Sequence, residues 1–180
     1  MVGKRKSMQG QPVVEQQVSH NLTAKAVANT ILGFFDDEGL PVSNLKLQKV
    51  VYFTHADFLK NHGLCLVRDR FQAWDHGPVL PNVYASFKKF GAGPIQGRAI
   101  EFDPVTATSR VAEANISPRT LDEMRRSFDF LKRLGAFTLS NLSHKDGGPW
   151  DRARRAHRSG FNPEIFIRTE DIELHHEKLW

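Results

Sequence analysis

Between Leu45 and Tyr84 a dense helical pattern, LKLQKVVYF, is followed after one short extended stretch by AWDHGPVLPNVY, and this pairing constrains the fold more than any other feature. The first piece supplies an apolar helix and the second a rigid aromatic and proline turn. Placed at about 100° per residue, the helix carries two apolar stripes, Leu47, Val51 and Phe58 beside Leu45, Tyr52, Ala56 and Leu59. Lys46, Lys49, Asp57 and Lys60 cluster opposite, as a charged face. So wide an apolar arc marks a central helix packed on more than one side. Gln48 and His55 fall inside the arc and must find partners, because a buried unpaired polar group costs about 1–3 kcal/mol. They are expected to tie this helix to the Trp74 or His144 region.

Local signals place the other elements. Ser43 is an N-cap and Gly63 a left-handed end for a central helix running to about Asn61. Thr23 opens the preceding helix, which sets Val27, Ile31, Phe34 and Phe35 on one face and ends at Gly39 before Pro41. The stretch from Leu64 to Ala73 reads as extended and delivers Trp74 into the core. Gly77, Pro78 and Pro81 form the tight turn beneath that indole, and Pro81 starts a helix bearing Val83, Tyr84, Phe87 and Phe90, with Gly91 as its stop. From Ala92 to Asn115 the pattern predicts loops around one or two short strands, near Ile95 and Ile100 to Phe102.

Ser117 and Pro118 open the clearest amphipathic helix, with Leu121, Met124, Phe128 and Leu131 on one stripe and Asp122–Arg126 and Asp129–Arg133 pairs outside. A short helix around Leu139 to Ser143 follows. Pro149 then starts a helix bearing Arg152 to Arg155, anchored by Trp150, and a last helix is capped by Thr169. The fold class expected is mainly α: a compact single-domain helical bundle with one or two short β-strands or a hairpin.

At 180 residues, 40% hydrophobic and 25% charged, the chain fits one soluble domain. Residues 1–21 read as a flexible polar tail and 22–180 as the domain. No apolar run reaches the roughly 18 residues needed to span a bilayer and no signal-type segment opens the chain, so no membrane contact and a cytoplasmic location are expected. Cys65 is the only cysteine, which excludes a disulfide framework and reads as a small buried hydrophobe. The net charge of +5 favours acidic partners. Much of that excess lies in Lys4, Arg5 and Lys6 and in the cluster Arg152, Arg154, Arg155 and Arg158.

Enzyme motifs are missing. His55, His76 and His144, with Asp75 or Asp146, have the chemistry of a zinc site, but no HExxH or HxH spacing calls for one. Adjacent His175 and His176 read as surface residues. GAGPIQG lacks the ending of a phosphate-binding loop, there is no GxSxG elbow, and no histidine neighbours Cys65. No catalytic residue, metal or cofactor is expected.

LKLQKVVYF, FQAWDHGPVLPNVY and LSHKDGGPWDRAR, in that order, resemble the Panacea domain, the SocA-like antitoxin or phage-associated GepA-like family. The resemblance covers about Thr23 to Trp180. It implies a compact, mostly helical domain of bacteria and phages that often serves as the antitoxin of a toxin–antitoxin pair, neutralising the toxin by direct protein contact. Two departures stand out: Lys145, Asp146, Gly147 and Gly148 lengthen the link between His144 and Pro149–Trp150 and make it flexible, and the polar extension precedes the shared domain. On this reading the partner is a cognate protein toxin, met through His144, Lys145 and Asp146 and anchored by Arg152, Arg154 and Arg155. The alternatives are operator DNA held by the run from Arg152 to Arg158, whose binding would weaken steeply with salt, and a histidine-dependent enzyme. A homo-oligomer stays open.

Overall fold

Thr23 accepts a hydrogen bond from the Ala26 N–H (3.2 Å) and so opens α1 (Ala24–Asp37). Ser43 does the same for Lys46 (3.4 Å) at the start of α2 (Asn44–His62), and Gly63, at φ 64°, closes that helix by donating to Leu59 O at 2.7 Å. These ends lie where the capping residues put them. The structure, a computed structural model, describes residues 18–177. Positions 1–17, most of the expected tail, with Lys4, Arg5 and Lys6, lie outside the described residues. Val18 to Asn21, also assigned to that tail, are engaged: Val18 packs on the core, Ser19 bonds Thr120, and Asn21 donates to Cys65 O. Cys65 itself is half-buried against the core.

After α2 come a hairpin of β1 (Gln72–Trp74) and β2 (Gly77–Val79), then α3 (Pro81–Phe87), extended by one 3₁₀ turn over Lys88–Phe90. A second hairpin, β3 (Ile100–Asp103) with β4 (Thr108–Val111), precedes α4 (Pro118–Leu131), α5 (Ala136–Ser143), α6 (Pro149–Arg158) and α7 (Thr169–His175). The described residues are thus mainly α-helical, with two small antiparallel ladders. Ile95 is not in a strand; its N–H donates to Val42 O at 2.8 Å.

The whole arrangement is organised round α2. Helices α1, α3, α4, α5 and α7 and strand β2 all pack on it, and every residue from Leu47 to Leu59 is buried. Of the expected charged face only Lys60 is exposed, and its Nζ donates to His176 O at 2.7 Å. Lys49 and Asp57 are buried, and Lys46 is half-buried with its Nζ on Lys132 O (2.8 Å). A helical wheel reports only the local stripe, whereas neighbours distant in sequence close the circle.

Several other expectations need correction. Trp74 is half-buried at the surface rather than delivered into the core, because β1 turns it outward against Tyr84. Gln48 and His55 find separate partners, neither of them Trp74 or His144: Gln48 Oε1 accepts from Leu80 N (2.8 Å), and His55 Nδ1 accepts from Val67 N (3.2 Å) while its ring packs on Phe71. On α4, Arg126 approaches Glu123 and Asp129 approaches Arg125, both at 3.9 Å, in place of the pairs expected. The N-cap of α7 is Arg168, not Thr169, and no side chain caps it. His176 is buried against Tyr52 and Phe53, not a surface residue.

Candidate functional site

The first turns of α2 present Asn44, Leu45 and Gln48 on one side, since positions four apart share a helix face. Gln48 holds the backbone of Leu80, fixing where β2 gives way to α3. That junction sets the β1–β2 hairpin, with Trp74, Asp75, His76 and Val79, against Tyr84 of α3. Together with Arg154 of α6, Lys88, Gly91 and Ile165, these residues line a groove of about 490 Å³. Trp74 and Tyr84 meet edge to face at 5.0 Å on its wall. Arg154 reaches from α6 to Asp75 (2.9 Å) and to Ala73 O (3.2 Å).

Beneath the groove sits an unusual polar layer. Lys49 is wholly buried and donates to Pro78 O at 2.8 Å; burial lowers its amine to about 7. Gly77, at φ 100°, makes room for it: a Cβ there would lie 2.8 Å from Lys49 Nζ and 2.4 Å from Ser143 Oγ. Both the backbone angle and the close approach exclude a larger residue. Ser143 donates to Ser140 O and Ser140 to His76 O, each at 2.7 Å, so α5 is stitched to the hairpin turn.

The third motif completes the layer. Pro149 starts α6 and Trp150 donates its Nε1–H to Trp74 O (2.8 Å), while its ring lies 4.0 Å from that of His144. Burial holds His144 below the usual imidazole range, reinforced by the positive charges of Lys49, His76 and Arg154. The three segments LKLQ, WDHGPVLPNVY and HKDGGPWDRAR, far apart in sequence, thus converge on one place.

The remaining expected residues divide. Leu47 and Tyr52 are core, and Pro81 starts α3. The link after His144 makes contacts of its own: Lys145 pairs with Glu177, Asp146 with Arg155, and Gly147 N donates to Asp151 (2.9 Å). Arg152 turns to Asp171 on α7 (2.9 Å) and Arg155 to Asp146 and Asp151, so Arg154 alone of the three candidate anchors borders the groove. Among the described residues no three His, Cys, Asp or Glu side chains gather as a metal-holding group. No described helix is long and apolar enough to cross a membrane.

Asn44, Lys88 and Ile165 escaped the sequence reading. The i,i+4 spacing of Asn44 and Gln48 was a usable signal. Ile165 carried none, because its place depends on Ala73 N bonding its carbonyl (2.9 Å) across the fold.

Fold and groove together define a mainly helical protein built round one central helix, with residues of all three sequence motifs, Leu45 and Gln48, Trp74 to Tyr84, and Arg154, bordering one surface groove. The chain belongs to the SocA-like antitoxin, Panacea-domain family, whose model matches residues 47–151. It is 36% identical over 135 residues to Antitoxin SocA of Caulobacter vibrioides (strain NA1000 / CB15N), covering 75% of this chain and 72% of that protein. No solved structure matches.

Proposed function

We propose that this chain is a cytoplasmic antitoxin that neutralises a cognate protein toxin by direct, stoichiometric binding. Membership of the antitoxin family and the relative's name support the role. The observation that carries the binding mode is that each of the three motif segments contributes to the walls of one surface groove, the third through Arg154. Residues used for fold stability alone would be expected to disperse through the core, as Leu47 and Tyr52 do.

Operator DNA is the weaker reading. Arg152, Arg154 and Arg155 turn to carboxylates on different elements, Asp171, Asp75 and Asp146, so they do not line up as one row of cations for successive phosphates.

The test is purification of the chain from its native cell, identification of what accompanies it, and expression of the leading partner alone and with the chain. A partner that is toxic alone, harmless in the pair and retained one to one as salt is raised is the expected result. A partner that stays toxic beside the chain would overturn the proposal.

A further inference from the structure

Resting on that antitoxin reading, we infer that the groove receives an extended segment of the toxin bearing an apolar side chain next to a carboxylate. The apolar group would lie against Trp74 and Tyr84, and the carboxylate against Arg154 and Lys88.

The walls and the rim carry opposite chemistry. Leu45, Val79, Trp74, Tyr84 and Ile165 form the apolar side of the groove, whose volume of about 490 Å³ leaves room for one or two side chains. Tyr84, at 38% exposure, is open to solvent and is held from behind by Trp74 rather than covered. Aromatic side chains in such positions supply contact area with few rotamers to freeze, which is why they recur as binding anchors.

Cations dominate the rim. Arg154 and Lys88 share it with a single carboxylate, Asp75. Among the described residues Lys88 has no ion-pair partner. Asp75 stands at the tip of the two-residue hairpin turn with its side chain 82% exposed, yet it holds Arg154 at 2.9 Å. An exposed carboxylate is a weak competitor in water. Asp75 therefore occupies the place of the incoming carboxylate: a partner that shields the groove strengthens its own ion pair while Asp75 swings to solvent.

Backbone strain lies at the same wall. Ile165 is β-branched yet sits at φ 50°, a left-handed conformation that such a residue adopts only where the surroundings enforce it. Its carbonyl is held by Ala73, so the hairpin that carries Trp74 and Asp75 also fixes the opposite wall. Such a groove is formed before a partner arrives.

The test uses the toxin identified above, as the purified protein, and measures its Kd for the full chain by calorimetry after nuclease treatment. Lys88→Glu and Arg154→Glu should each weaken binding by about 30-fold or more, the range of an interface anchor. Arg110→Glu, the same charge change on β4, should leave Kd as it was. Lys88 is exposed and outside the core, so Lys88→Glu keeps the test valid if Arg154→Glu lowers the melting temperature. Toxin variants selected to escape the wild-type chain should map to one segment and replace an Asp or Glu, or its apolar neighbour. A lysine at that acidic position should restore binding to Lys88→Glu. Wild-type binding with an unchanged Kd for both groove variants would overturn this inference and leave the antitoxin reading intact. A wild-type chain that binds the toxin only before nuclease treatment would overturn both.

Discussion

Two seams of the molecule are built on different terms. Where α1 meets α4, Phe34, Phe35 and Phe128 pack with ring centroids 5.5 and 4.8 Å apart, and Val27 and Ile31 complete a dry layer. Where α2 meets the β1–β2 hairpin, the buried layer holds Lys49, Gln48, Ser140 and Ser143. The first seam removes apolar surface from water and stabilises by area. The second buries groups that water would solvate better, and each needs a hydrogen bond to offset that loss. The difference teaches that stability and surface shape have been given to separate parts of one core.

The largest effect should come from the dry seam. Phe128→Ala should lower unfolding free energy by about 3–5 kcal/mol, as a large aromatic removed from a packed core does, while the folded fraction keeps its affinity for the partner. Urea melts and binding on the same preparation check both halves; a variant that melts normally but loses binding would erase the distinction.

Gly77→Ala probes the polar seam next. Its φ of 100° and the nearness of Ser143 and Lys49 predict destabilisation of about 1–3 kcal/mol, accompanied here by weaker partner binding, because the hairpin tip must shift. Equal stability of variant and wild type would show that the seam yields more easily than its packing suggests.

Titration sharpens the contrast further. Lys49 sits near 7 in the fold against 10.5 as a free side chain, so between those values the unfolded chain holds the extra proton and stability rises with pH. This group should contribute a slope of up to about 1.4 kcal/mol per pH unit. His55, lowered by burial to about 4 from 6.5, acts in the acid window, where stability falls as pH drops from 6.5 towards 4. Lys49→Met should flatten the alkaline rise and leave the acid fall. Melts at pH 7 and pH 9 decide this, and parallel wild-type and variant curves would mean that the amine is solvated.

The smallest effect belongs to the outer face of α4. Arg126 is mostly exposed and lies 3.9 Å from Glu123, so Arg126→Ala should change stability by no more than about 0.5 kcal/mol. A larger loss on thermal melting would place a surface charge on the same footing as the buried ones.

Local chemistry was legible from residues alone. The Thr23, Ser43 and Ser117 caps, the Gly63 stop, the Pro81 and Pro149 helix starts and the core roles of Phe35, Val51 and Phe128 depend on residues within about one helical turn, so the chain itself determines them. The motif segments were legible too, although as a resemblance rather than as a geometry. Tertiary structure alone decided that Lys49 is buried, that Trp74 faces outward and that Arg154 parts from Arg152 and Arg155 to border the groove. Those outcomes rest on Pro78, Tyr84, Asp75 and Asp171, whose approach depends on how the other helices and the β1–β2 hairpin assemble around α2. A charge on a helix wheel carries no record of which distant backbone carbonyl will receive it.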